Sequence, residues 1–200
     1  MKYLYLAICF LFVSVSSEVG AEFISADAFT KKEIPLKWKP GDDIHGLEYV
    51  DVKNLGKLKI WANPIIDSRK EQNEIGRNVE KDPVRLYLTK DNVAEWATER
   101  FRYALKEFGL NVTSDNPDVI ISAELVKFYV LEKDLYRGNV TFKIKAFKPD
   151  NTVIWQGISS GESKRWGRSF SEENFHECIG NSFIEAIYGL LKDESFIKAF

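Results

Sequence analysis

The stretch NVTFKIKAFKPDNTVIWQGISSGES (residues 139–163) predicts the centre of the fold. In its first ten residues apolar and polar side chains alternate, and one side of the chain carries the apolar set: Val140, Phe142, Ile144 and Ala146. The opposite side carries the polar set: Thr141, Lys143 and Lys145. Such alternation is typical of a strand with one buried face. Because the turn residues 149–151 interrupt it, we predict an antiparallel hairpin of residues 139–148 and 152–163.

Two helices are predicted on either side of a long strand. The first begins after Asp91 as N-cap, has apolar residues at helical spacing up to Phe108, and ends at Gly109. The second begins with a capping box formed by Ser169 and Glu172 and carries an apolar stripe up to residue 191. Residues 119–131 between them are apolar enough to form a strand.

Shorter strands are predicted in the first half of the chain. Residues 57–63 alternate with period two, residues 84–88 form a second strand, and residues 34–38 form an edge strand because of Pro35. The polar run 70–81 predicts an exposed loop. Together the elements predict an α+β fold with a mostly antiparallel sheet and two helices packed on one face.

Length and composition favour one globular domain behind an export signal. The chain has 200 residues, 44% of them hydrophobic, and its net charge of −2 argues against a nucleic-acid partner. Lys2, a short apolar run and Val19-Gly20-Ala21 are typical of a secretory leader, and the run is too short to favour a membrane anchor. We therefore expect a signal peptide at residues 1–21, an N-terminal extension at 22–56 and one α+β domain at 57–200.

The two cysteines limit anchoring and covalent chemistry. Leu6-Ala7-Ile8-Cys9 loosely follows a lipoprotein signal, but Ile8 is large and the apolar run continues past Cys9, so the leader argues against lipidation there. Cleavage after Ala21 leaves only Cys178, which excludes an internal disulfide. Since Cys178 lies on the helical apolar stripe, we expect a buried thiol.

The sequence gives no convincing catalytic, metal or cofactor site. Residues 157–161 fit G-x-S-x-G with Ser159 in the middle, but they lie within a predicted strand, whereas a nucleophile elbow needs a strand, a sharp turn and a helix. His176 and Cys178 point to different sides of a helix and lack further zinc ligands. Phosphate-binding glycine loops are absent. We therefore expect a protein that is not an enzyme and needs no cofactor or metal.

Two groups of residues are candidates for binding. The basic cluster Lys164, Arg165, Trp166 and Arg168 interleaves an aromatic residue with cations, which suits an anionic surface. The second candidate is Asp67 and Arg69 at the start of the long polar run. For both, a solvated loop is the simpler interpretation.

Several short motifs resemble the YajG-type family of bacterial envelope lipoproteins. They are Asp67-x-Arg69 after a strand, Ile75-Gly76, the helix around Trp96 ending at Gly109-Leu110, Thr152-Val-Ile-Trp155 with Gly161, and the final helix. The resemblance covers roughly residues 58–200, and it implies an envelope-located α+β domain with no established enzymatic activity. The chain departs from the family at the lipobox and in its N-terminal extension.

These observations predict a non-enzymatic protein of the bacterial envelope, periplasmic or membrane-associated, that binds a partner or helps an assembly. The expected partner is an envelope protein, with a membrane surface or lipid as a further candidate. The alternative is an accessory lipid- or glycan-binding component of an envelope transport system, in which Trp155 and Trp166 stack on the ligand.

Overall fold

The structure, a computed structural model, describes residues 29–41, 52, 55–80 and 82–200. The predicted signal peptide, Cys9 and much of the predicted N-terminal extension lie outside the described residues. The strands are β1 (Thr30–Glu33), β2 (Lys59–Ala62), β3 (Ile66–Asp67), β4 (Glu74–Asn78), β5 (Arg85–Leu88), β6 (Asn111–Val112), β7 (Val119–Glu132), β8 (Tyr136–Phe147) and β9 (Val153–Arg165). The helices are α1 (Val93–Glu107), α2 (Glu172–Lys192) and α3 (Glu194–Ile197), with a 3-10 turn at Leu55–Lys57.

The predicted hairpin is confirmed as part of a three-stranded antiparallel unit. β7 pairs with β8, and β8 pairs with β9, along nearly their whole lengths. The turn between β8 and β9 closes as predicted, with the amide of Lys148 donating to the carbonyl of Thr152 at 2.9 Å. Along β8 every second side chain is buried, so one face of this unit belongs to the core.

The α+β fold class is confirmed, but the sheet is mixed. The short strands β2, β3 and β4 all lie parallel to β7, β1 lies parallel to β5, and β4 and β5 are antiparallel. The long ladders are antiparallel, as expected, and the short ones are mostly parallel. Parallel neighbours arise here because helices and long loops separate the paired strands, which then run in the same direction.

The polar run predicted as an exposed loop contains β4, so that expectation was wrong. Ile75 and Asn78 of this strand are buried, and β4 lies between β5 and β7. Gly76 permits this position, because a Cβ there would lie closer than 3.0 Å to the carbonyl oxygen of Val130. Charged residues mask the strand pattern in the sequence.

Residues 34–38, predicted as an edge strand, are not a strand. The chain does form an edge strand just before them, but this strand is β1, which ends at Glu33. The residues that follow it contribute to the core, because Ile34 is buried and Trp38 packs against Trp96, Tyr103 and Phe183. The predicted domain boundary at residue 57 stays a prediction.

Both predicted helices exist, but each begins at a different cap. Asn92 caps α1, because its side chain accepts from the amide of Glu95, and Asp91 instead accepts from the amide of Leu36 at 2.6 Å. Ser171 caps α2 through the amide of Asn174. Both helices pack on the same face of the sheet, where the rings of Phe142 and Phe183 lie 5.3 Å apart.

Candidate functional site

No helix among the described residues packs on the face of β7–β9 that points away from α1 and α2. We call its side chains the open face. On β8 they are half-buried or exposed: Arg137, Asn139, Thr141, Lys143 and Lys145. Their register partners on β9 continue the face: Lys164, Glu162, Ser160, Ile158 and Gln156. This is the side on which the sequence placed Thr141, Lys143 and Lys145 as solvent-facing.

Two shallow grooves run across the open face. The larger, about 740 Å³, lies between β3 and β9 and is lined by Ile66, Lys143, Lys145 and Ile158 among others. The second, about 650 Å³, lies towards the other end and is lined by Tyr129, Leu131, Arg137 and Lys164 among others. Apolar and cationic side chains therefore alternate over a surface several strands wide.

Cations exceed anions among the groups of the open face that form no ion pair. Lys127, Lys143, Lys145 and Lys164 form no ion pair with any described residue. Arg137 is different, because Asp134 pairs with it at 2.6 Å, and this guanidinium lowers the pKa of Asp134 to about 2. The lysines are thus available to an anionic partner.

Beside the open face, Tyr129 and Arg77 hold the carboxylate of Glu74. The Arg77 guanidinium lies 2.6 Å from Glu74, and the Tyr129 hydroxyl donates to it at 2.9 Å. Burial alone would raise the pKa of Glu74, but these two partners outweigh it, so the pKa lies below its usual value. Burial and the same carboxylate raise the pKa of Tyr129.

Asp67 and Arg69, predicted as contact residues, bind each other. Their side chains are each 7% exposed, and Arg69 donates to both carboxylate oxygens of Asp67, at 2.8 and 2.7 Å. The same guanidinium also donates to the carbonyls of Gln72, Glu74 and Phe128. The pair fixes the loop between β3 and β4, little of it is accessible, and a binding role for it stays a prediction.

The basic cluster predicted for binding is dispersed by the structure. Lys164 lies on the open face, whereas Arg165 points to the helix side and pairs with Glu177 at 2.8 Å. Trp166 is 67% exposed in the loop after β9, and Arg168 is also exposed there. The four residues therefore share no single surface, and their binding role stays a prediction.

A buried carboxylate that the sequence did not point out anchors the loop between β9 and α2. Glu132 is 1% exposed and accepts from the hydroxyl of Tyr87 and, at 2.9 Å, from the amide of Phe170. Burial would raise its pKa, but hydrogen bonds from Tyr87 and Asn78 and from this amide together lower it. The only sequence signal was a charged residue at the end of an apolar strand.

The residues considered for catalysis are not arranged for it. Ser159 is buried, and its hydroxyl donates to the carbonyl of Ala186 in α2. His176 lies 2.7 Å from the carbonyl of Pro35, and burial lowers its pKa. Cys178 is buried, as predicted, and burial raises its pKa.

The described residues offer neither a metal site nor a membrane-spanning helix. They contain no group of three or more His, Cys, Asp or Glu placed to hold a metal ion. None of their helices combines the length and apolar character needed to cross a membrane.

Fold and site together define a class of protein: an α+β domain with helices on one side of a mixed sheet and an open, lysine-rich face on the other. No protein-family model matches the chain. No curated protein matches it either.

Several solved structures are similar to this chain at very low sequence identity. A crystal structure of an uncharacterised protein has a TM-score of 0.50 at 7% identity, over 84% of this chain and 99% of that chain. Protein XCC0632 from Xanthomonas campestris, of the DUF330 family, has a TM-score of 0.47 at 9% identity, over 85% of this chain and 95% of that chain. Lipoprotein GNA1162 from Neisseria meningitidis has a TM-score of 0.37 at 11% identity, over 56% of this chain and 88% of that chain. The first likeness shows a common fold, and the YajG-type resemblance stays a prediction.

Proposed function

We propose that this chain is a non-enzymatic protein of the bacterial cell envelope and binds a protein partner through its open face. The observation that carries the proposal is the open face itself. A sheet face with exposed Ile66 and Ile158 and unpaired Lys143 and Lys145 has both the apolar contacts and the charges of a protein interface. The leader-like sequence of residues 1–21 supports an envelope location.

The shape of the open face favours a protein over a small ligand. Ligand sites are concave and enclose most of the ligand surface. The two grooves are shallow, and the enclosed side of the sheet is filled by core residues such as Phe142 and Phe183. A broad partner surface can contact both grooves at once. Electrostatic complementarity further suggests a partner with a net acidic contact surface.

The test is photo-cross-linking in cells with the full chain. A photoreactive amino acid replaces Lys143 at the centre of the open face, and the matched control carries it at Tyr103, which is 41% exposed on α1. We expect one reproducible envelope protein at position 143 and not at 103. Equal capture at both positions, or none at 143 while the cross-linker works on a known complex, contradicts the proposal.

The alternative function, lipid or glycan binding for envelope transport, has one observation in its favour. The larger groove joins apolar Ile66 and Ile158 to Lys143 and Lys145, a pairing that suits an anionic amphiphile. Trp155 takes no part, because it lies on the helix side against Phe196. Native mass spectrometry of protein from its own envelope decides: a captured small molecule, lost in Ile158→Asp, favours this function.

A further inference from the structure

The outer edge of β9 is unpaired over a long distance. Among the described strands β9 pairs with β8 alone, so alternate backbone N–H and C=O groups along it point away from the sheet. Apart from a 3.8 Å contact between the Cys178 thiol and the carbonyl of Ser163, no described residue outside β8 donates to these groups or accepts from them. Thirteen residues therefore form a free strand edge.

The sheet protects its other edges and leaves this one open. Natural proteins shield edge strands by keeping them short or by charging them. β6 has two residues, and β1 has four, three of which are charged: Lys31, Lys32 and Glu33. β9, by contrast, has no charged residue between Val153 and Gly161 and contains no proline. A long, uncharged, proline-free edge is suited to strand addition.

We propose that a second copy of this chain binds at this edge, with the two β9 strands antiparallel across a two-fold axis. The observation that selects a second copy is the distribution of charge along the strand. The first nine residues of β9 are uncharged, while Glu162 and Lys164 lie in its last third on the open face. An antiparallel copy brings the charged part of each strand against the uncharged part of the other, so like charges are not stacked on the shared edge.

Charge complementarity across the sheet also selects the register. If the axis passes through Ser159, Gln156 lies opposite Glu162 of the partner subunit. Gln156 is in turn the register partner of Lys145 on β8, which forms no ion pair with any described residue. The carboxylate of Glu162 of the partner subunit therefore lies in the same cross-strand row as the ammonium group of Lys145. Two such contacts form, one on each side of the axis.

The next register that keeps the open faces together is unfavourable. With the axis at Ser160, Gln156 faces Lys164 of the partner subunit. Since Lys164 is the register partner of Arg137, two cations then enter the row of Lys145. In this register Glu162 of the partner subunit faces Ile158 in the row of Lys143, but the three cations brought together around Gln156 destabilise the sheet, so the register centred on Ser159 is preferred to it.

This assembly goes beyond the proposed function. Joining the two sheets makes their open faces continuous and doubles the surface available to a partner. The edge and the open face are separate surfaces, so failure of one proposal leaves the other standing.

The first test is register-specific disulfide formation between two co-expressed, differently tagged full-length copies in which Cys9 is replaced by serine. The register places Ile158 opposite Ser160 of the partner subunit, so Ile158→Cys with Ser160→Cys should form a covalent heterodimer. The control pair is Ile158→Cys with Lys164→Cys, at two exposed positions of the same face that this register does not place opposite each other. We expect no covalent heterodimer from this pair. Cys178 remains, because it is buried.

A charge swap is the second test and needs no new covalent bond. By sedimentation equilibrium of the purified chain, Lys145→Glu should weaken dimerisation about tenfold, because on each side of the axis it places a second carboxylate in the same row as Glu162 of the partner subunit, with only Gln156 between them. The double variant with Glu162→Lys should restore the original affinity.

Three results would overturn the proposal: cross-linking of the control pair at the same level, a chain that remains monomeric with no cross-link, or disulfide capture of a different protein at Ser160→Cys.

Discussion

At Gly161 the backbone of helix α2 lies close to strand β9, and replacement of this glycine by alanine should destabilise the protein strongly. A Cβ at this position would lie closer than 3.0 Å to the carbonyl oxygen of Ser182 and the amide nitrogen of Ala186. Both atoms belong to the helix backbone, so no side chain can rotate away. The helix has to move, or β9 has to bend.

The size of the effect follows from this geometry. Inserting a methyl group into a packed core costs about 1–3 kcal/mol, and a backbone clash belongs at the upper end. A shifted helix also stretches the hydrogen bond from Ser159 to the carbonyl of Ala186 and the 2.6 Å bond from Ser163 to the carbonyl of Cys178. Alanine recovers about 0.5–1 kcal/mol of backbone entropy relative to glycine. We expect a net loss of about 3 kcal/mol, which lowers Tm by roughly 6–12 °C.

Gly189, which lies on helix α2 itself, provides the matched control for Gly161 on strand β9. An added Cβ there would meet its nearest neighbours at 3.6 and 3.7 Å, an ordinary contact distance, and the residue is exposed. Gly189→Ala should therefore stabilise the protein by about 0.5–1 kcal/mol through helix propensity.

Urea unfolding followed by tryptophan fluorescence measures both variants against the parent chain, which has five tryptophans. A change in the free energy of unfolding of less than about 0.5 kcal/mol for Gly161→Ala, the range of neutral surface substitutions, would contradict the predicted clash. Equal destabilisation by Gly189→Ala would also contradict it, because then the close approach of the helix is not the cause.

Two further predictions concern buried charges. Tyr87→Phe removes a hydrogen-bond donor from buried Glu132 and should cost about 1.5–3 kcal/mol of stability. The lowered pKa of Glu132 stabilises the fold above about pH 4.3, and this contribution is lost as the pH falls through the folded-state pKa. In an acid titration followed by circular dichroism, the variant should therefore begin to unfold at a higher pH than the parent chain. Arg69→Ala leaves Asp67 buried without its partner, so it should cost about 3–5 kcal/mol of stability and speed amide exchange in the loop between β3 and β4. The control Lys70→Ala, at an exposed position, should change neither quantity. Normal amide protection of that loop in Arg69→Ala would contradict the structural role of the pair.

The sequence predicted the elements that have strong apolar periodicity. The hairpin, β7 and both long helices follow from alternation or helical spacing, because burial on one face leaves a regular pattern. It missed β4, since a short strand that carries Glu74 at a half-buried position, Arg77 at an exposed one, and Gly76 and Asn78 at buried ones has no such pattern. The helix caps were shifted by one or two residues, because several adjacent residues can cap and tertiary contacts choose among them, as Leu36 does for Asp91.

For the candidate site, residue type was a weaker guide than position. The charges of Asp67 and Arg69 suggest contact residues, yet the two side chains bind each other, because opposite charges two residues apart at a strand end can form a closed pair. The lysines of the open face carry no sequence signal as a group, since solvent-facing lysines are common on half-buried strands. Only the tertiary arrangement shows that no described helix covers them.

The two sides of β9 have opposite requirements, and the sequence of this strand meets both. Towards the helices it places Ser159, Gly161 and Ser163, residues small enough for α2 to lie close and polar enough to bond its carbonyls. A helix held at that distance packs over β8 and β9 on one side only. The residues on the other side, Ile158 among them with 66% exposure, are free of that constraint and remain on the surface. Substitutions facing α2 should therefore change stability with little effect on binding, and substitutions on the open face should do the reverse.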